Sequence, residues 1–135
     1  MAEKKDITLA VNIPDDADIT GDGAMLSVVV RNLLTNAVKF TAPTGTVTLD
    51  VSLNNTEDVR KYTVSVSDTG IGMNAEQISK LFRLDSAHSR KGTAGEQGSG
   101  LGLIVCRELI EKHGSELYVE SEEGKGSKFW FEVCP

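Results

Sequence analysis

The sequence predicts an α+β domain, a two-layer sandwich in which a mixed, mainly antiparallel sheet is covered on one face by three helices. Three observations predict it. Short stretches that alternate apolar and polar residues recur along the chain, as half-buried strands do. Between them lie stretches with apolar residues at helical spacing, in the order strand, helix, strand, strand, helix, helix, strand, strand. Two of the alternating runs, around 47–53 and 62–66, follow each other closely enough to pair as an antiparallel hairpin.

Each element has its own warrant. Residues 7–13 alternate and stop at Pro14. The acidic stretch 15–22 resembles a calcium loop only at its start: from Asp16 or Asp18 the twelfth position is Ser27 or Val29, not a carboxylate. It reads instead as a turn, with Asp22 as the cap of a helix over 24–40. In that helix Met25, Val28, Val29 and Leu33 are apolar, while Asn32 and Asn36, four apart, share a face. Residues 41–45 break the helix. Val47, Leu49, Val51 and Leu53 then alternate with Thr48, Asp50 and Ser52 to make a strand, and 54–58 reads as a polar connection. Tyr62, Val64 and Val66 mark the next strand, which runs into Asp68. Asn74 and Gln77 have capping-box spacing at the start of a short helix carrying Ile78, Leu81 and Phe82. Residues 85–97 are polar and glycine-containing, with the length of a lid. A helix over 101–113 ends at Gly114, a strand is expected over 116–121, 122–126 turns, and 127–133 closes the sheet with Phe129, Phe131 and Val133 on one face.

At 135 residues the chain has the size of one domain with a real core. Its net charge of −6 argues against a nucleic-acid surface, although Arg83, Arg90 and Lys91 form a local basic cluster. No apolar run reaches the ~20 residues that span a bilayer, and no signal peptide is visible. Cys106 and Cys134 are far apart without a CxxC motif; Cys106 reads as a small core or semi-core residue, and a cytoplasmic, reducing setting fits best.

The chemistry concentrates in glycines and asparagines. Gly95, Gly98, Gly100 and Gly102 form a loop that feeds a helix N-terminus, where exposed N–H groups and the helix dipole suit a phosphate. The stretch 70–75 matches a dinucleotide fingerprint, but no parallel strand follows its helix, so that fold is excluded. Taken alone, Asn32 and Asn36 on one helix face read first as amides that face water or satisfy nearby backbone; the functional alternative is an oxygen ligand for a hard cation with a second polar group beside it.

Taken in order, 32–41 (Asn32, Asn36, Lys39), 68–72 (Asp68, Gly70, Gly72), Phe82, 98–103 (Gly98, Gly100, Gly102) and 124–129 (Gly124, Gly126, Ser127) form a specific set. The set resembles the catalytic, ATP-binding domain of bacterial sensor histidine kinases, of the Bergerat or GHKL superfamily that includes DNA gyrase, the mismatch-repair clamp and a heat-shock chaperone. The resemblance covers about residues 7–133 and implies the Bergerat fold, ATP and Mg²⁺ as cofactors, and roles by position. Asn36 matches the Mg²⁺ ligand. Asn32 matches a polar residue that is often Glu in ATP-hydrolysing relatives; Asn cannot act as a base, which favours phosphoryl transfer over hydrolysis. Lys39 matches a cation near the phosphates. Asp68 matches the carboxylate that accepts from the adenine amino group, with Gly70, Gly72 and Met73 beside the purine. Phe82 matches the lid anchor, although position 85, often a second Phe, is Asp. Gly98, Ser99, Gly100, Leu101, Gly102 and Leu103 match the glycine box over the phosphates. Ser127 stands where the family often has Thr, near the adenine; an ordinary strand serine accounts for it equally. Arg90 and Lys91 in the lid are each candidates for the γ-phosphate.

The implied reaction passes the γ-phosphate to a histidine on a separate helical dimerisation domain, and from there to a response regulator. His88 and His113 do not fit as acceptors, so the chain is expected to be the catalytic domain of a longer kinase, monomeric by itself, without contacts to nucleic acid or membrane, whatever anchor the parent carries. Its expected extent is 1–135, with the lid at 85–97. Two other readings remain: an anti-sigma-type serine kinase of similar length, and a degenerate nucleotide-binding module that signals by ordering its lid. A gyrase-like or chaperone-like clamp would want Glu at position 32.

Overall fold

The structure, a computed structural model, describes residues 7–13, 23–55, 60–81 and 102–133. Among them lie strands β1 (Thr8–Asn12), β2 (Thr46–Asn55), β3 (Arg60–Asp68), β4 (Tyr118–Glu122) and β5 (Gly126–Val133), and helices α1 (Gly23–Lys39), α2 (Ala75–Lys80) and α3 (Gly102–Lys112). The strands form one sheet in the order β1-β2-β3-β5-β4. β1 lies parallel to β2, and all other pairs are antiparallel. The parallel pair is the one whose strands α1 separates, because a parallel connection has to cross over. The expected mixed, mainly antiparallel sheet is thus observed, as is the β2–β3 hairpin.

Alternation decides which face is dry. Val47 and Val51, Tyr62, Val64 and Val66, and Phe129 and Phe131 are buried on the side of the sheet that the helices cover. Val29, Leu33 and Ala37 of α1 and Cys106 and Ile110 of α3 complete the same core, with Ile78 and Leu81 packed against it from α2. Burying these side chains, at roughly 1.5–3 kcal/mol for each large one, is the dominant favourable contribution. The ion pairs Glu76–Lys80, Arg107–Glu111 and Glu122–Lys125 join half-exposed to well-exposed side chains and add little.

The element ends differ from expectation in instructive ways. β2 continues through Asn54 and Asn55, expected as a connection, since Asn55 still pairs with Arg60; a ladder needs backbone groups, not apolar side chains. β4 begins at Tyr118 rather than Glu116, with Leu117 buried just before it. α2 ends at Lys80 with Leu81 as its C-cap. At its start the expected capping box is complete: Asn74 Oδ1 accepts from Gln77 N at 2.8 Å, and Gln77 Oε1 accepts from Asn74 N at 2.9 Å. α3 ends as expected at Gly114, whose φ of +81° allows Ser115 N to donate to Ile110 O and Gly114 N to Glu111 O.

Candidate functional site

The site is built where the C-terminal end of β3 meets the C-terminal end of α1. Asp68 is the last residue of β3. Its register partners are Val47 on β2 and Ser127 on β5, and Ser127 pairs in turn with Ser121 on β4. Directly opposed residues point to the same face, so Asp68, Ser127 and Ser121 form a polar row at the rim of the core. Asp68 Oδ1 accepts from Gly70 N at 2.8 Å and from Ser127 N at 3.3 Å. The carboxylate therefore closes its own turn while gripping the neighbouring strand.

The loop after Asp68 is crowded by the protein's own backbone. A Cβ on Gly70 would run into Phe40 O, and one on Gly72 into Glu122 O. Gly72 also has φ +67°, which glycine adopts without penalty. Ile71 N donates to Phe40 O at 3.1 Å, which fastens the loop to the end of α1. Gly124 N donates to Ile71 O at 2.8 Å, and Met73 N to Ser121 Oγ at 2.8 Å, which fasten it to the β4–β5 hairpin. Met73 itself is buried. Asp68, Gly70, Gly72, Met73 and Ser127, from two separate parts of the sequence, thus form one cluster.

The helical side of the site holds Asn32 and Asn36, both half-buried on α1. α3 faces Asn32: a Cβ at Gly102 would stand 3.5 Å from Asn32 Oδ1. One turn on, the Cys106 thiol contacts the Asn32 side chain and donates to Val29 O at 3.7 Å. Burial pushes this thiol up to about 11, with the Asn32 hydrogen bond pulling weakly the other way. Leu103 packs against the core. Lys39 is buried at the end of α1 with its ammonium 5.0 Å from the centre of the Phe40 ring, a favourable place for a cation at a helix C-terminus. Phe82, Arg90, Lys91, Gly98, Ser99, Gly100 and Leu101, with the expected lid at 85–97, lie outside the described residues.

Two parts of the site were missed in the sequence. Ser121 bonds to Met73, Gly126 and Ser127; alternation marks it as an inward position of β4 but gives no sign of its partners. The second is a hydroxyl clasp. Thr41 Oγ1 donates to Ala37 O at 2.7 Å, and Thr69 Oγ1 accepts from Thr46 N at 3.0 Å. Both threonines crowd Gly45, where a Cβ would have no room. The glycine between two threonines in the α1–β2 connection was the available signal.

The comparisons with known proteins fit this geometry. Residues 21–135 match the family model of the histidine kinase-, DNA gyrase B- and HSP90-like ATPases. The chain belongs to this family. Its relatives include the sensor protein GacS of Pseudomonas syringae pv. syringae, 36% identical over 85% of this chain and 13% of that protein. The sensory kinase SasA of Synechococcus elongatus is 37% identical over 91% of this chain and 31% of its own length. The sensor histidine kinase WalK of Bacillus subtilis is 32% identical over 97% and 21%. The chain spans a third or less of these relatives. Among solved structures, the catalytic domain of histidine kinase ThkA superposes with TM-score 0.79 at 27% identity, covering 98% of this chain and 83% of that one. Full-length ShkA in complex with AMPPNP superposes with TM-score 0.75 at 31% identity, over 98% of this chain and 26% of ShkA. The sequence-based resemblance and the α+β sandwich therefore both hold, and the kinship is with sensor histidine kinases.

Proposed function

We propose that the chain binds Mg-ATP and donates the γ-phosphoryl group to a histidine on a separate dimerisation domain, the first step of a two-component phosphorelay that continues to a response regulator. The observation that carries the reading is the fixed Asp68 carboxylate in its loop of glycines, a loop tied through Phe40 O to the end of the helix that carries Asn32 and Asn36. A carboxylate anchored by two backbone N–H groups still has lone pairs to offer as acceptors, which suits the exocyclic amino group of adenine. In this reading Gly70, Gly72, Met73 and Ser127 shape the adenine site, and Asn32, Asn36 and Lys39 act at the phosphates.

The donor set suits Mg²⁺ bound together with the nucleotide. Among the described residues no group of three or more His, Cys, Asp or Glu gathers to hold a metal alone. Asn36 supplies one neutral oxygen, which fits an ion that takes most of its ligands from phosphates and water. When bound, the ion would neutralise charge on the phosphates. Asn32 has no basic group with which to activate water, so the α1 residues orient the phosphates rather than promote hydrolysis. Cytoplasmic placement of the domain goes with an ATP-using activity. Among the described residues no helix is long and apolar enough to cross a membrane.

The test is phosphoryl transfer in trans. The chain is incubated with γ-labelled ATP, Mg²⁺ and the histidine-bearing helical hairpin of its parent kinase. Acid-labile label on the hairpin histidine is expected. Label on serine of a partner would indicate a serine kinase instead. No label, together with unchanged ATP binding by Asn36→Ala, would overturn the reading.

A further inference from the structure

The hydrogen bonds around Ser121 assign a direction to the hydroxyl of Ser127. Ser121 Oγ lies 2.8 Å from Met73 N, 3.0 Å from Gly126 O and 2.8 Å from Ser127 Oγ. Two of these contacts leave no choice. A backbone N–H only donates, so Ser121 accepts from Met73. A carbonyl only accepts, so the single Ser121 hydrogen goes to Gly126 O. The contact between the two serines must then use the hydrogen of Ser127. With its hydrogen spent on Ser121, Ser127 Oγ keeps only lone pairs for a ligand. Beside it, Asp68 is also an acceptor, already joined to Ser127 N and Gly70 N.

We infer that Ser121 is a specificity-determining positioning residue, which holds Ser127 as a hydrogen-bond acceptor so that the purine site takes a 6-amino base and disfavours a 6-oxo base. This rests on the ATP reading of the Asp68 cluster. The chemistry follows from the inventory of groups. Adenine presents a donor at C6, which two acceptors match. Hypoxanthine presents a carbonyl at C6 and, at N1, a donor where adenine has an acceptor. A Ser127 free to rotate its hydroxyl could donate to that carbonyl; a Ser127 tied to Ser121 cannot. Ser121 itself lies one strand beyond Ser127, so it acts through Ser127 rather than on the base.

The experiment is calorimetric titration of the chain with Mg-ATP and Mg-ITP. The wild type should prefer ATP. Ser121→Ala should narrow the ATP-to-ITP affinity ratio by roughly 3- to 10-fold, chiefly through tighter ITP binding, the scale of one neutral hydrogen bond. Ser121→Thr, which keeps the hydroxyl, should restore the ratio. Because Ser121→Ala also strips partners from Met73 N and Gly126 O and can unfold the chain, Ser127→Ala provides a second test. It should weaken ATP without weakening ITP, since only the 6-amino base uses the Ser127 acceptor. A Ser121→Ala that binds ATP with an unaltered ratio, or a Ser127→Ala that weakens both nucleotides equally, overturns the inference and leaves the ATP reading standing. A wild type that binds neither nucleotide overturns both.

Discussion

Asn36 and Cys106 show how differently two residues near the same helix contact bear on the molecule. Asn36 is half-buried and outside the hydrophobic core, so Asn36→Ala should leave the melting temperature nearly unchanged while weakening Mg-ATP at least tenfold, read by calorimetry with and without Mg²⁺. Cys106 is fully buried, and its thiol is pushed up to about 11. The native state thus keeps a proton that the unfolded chain releases above its ordinary value near 9.0. Stability contributed by the neutral thiol is complete below pH 9 and is lost as pH rises toward 11, in all on the order of 2–3 kcal/mol. Denaturant titrations at pH 8 and pH 11 should show that fall in the wild type and a smaller one in Cys106→Val. The sequence announced the asparagine pair, because two amides four apart on a helix are unusual, and it placed Cys106 in the core by periodicity. It could not announce Ser121. A serine at an inward strand position looks the same whether it meets solvent, a water or a neighbouring hydroxyl; only the β4–β5 register brings it to Ser127.

At the level of elements, the loop 68–74 depends on its anchors more than on its own propensity. It is tied to α1 through Phe40 O, to the β4–β5 turn through Gly124 N and to β4 through Ser121. Gly126, at φ +122°, lies against Asp68 O so closely that a Cβ would collide with it. Gly126→Ala should therefore cost about 2 kcal/mol or more and should loosen Asp68, lowering ATP affinity as well as the melting temperature. Asn74→Ala is the contrasting case. It removes one half of the α2 capping box at an exposed helix end and should cost about 1 kcal/mol in denaturant titrations, with little change in nucleotide affinity. That capping box was legible because its residues are three apart. The ends of β2 and β4 were not, because ladder pairing at Asn55 and the late start at Tyr118 are decided by the opposite strand. Gly70 and Gly72 were expected to be small for the sake of a purine; Phe40 O and Glu122 O leave no room for a Cβ there in any case.

Over the whole molecule, the two ends of the site are supplied by distant stretches that only the sheet order brings together. Alternation and helical period were enough to count the elements and to name an α+β sandwich. They did not determine that β1 is parallel to β2 or that β5 inserts between β3 and β4, since both depend on long-range pairing. It is this insertion that places Ser127 beside Asp68. If the assembled cluster recognises Mg-ATP, calorimetric titration of the wild type with Mg-ATP, alongside Asp68→Ala and with circular dichroism to verify that both are folded, gives a one-to-one binding isotherm for the wild type that is lost in folded Asp68→Ala. Equal affinity in the two proteins, or no heat from the wild type, would rule that recognition out.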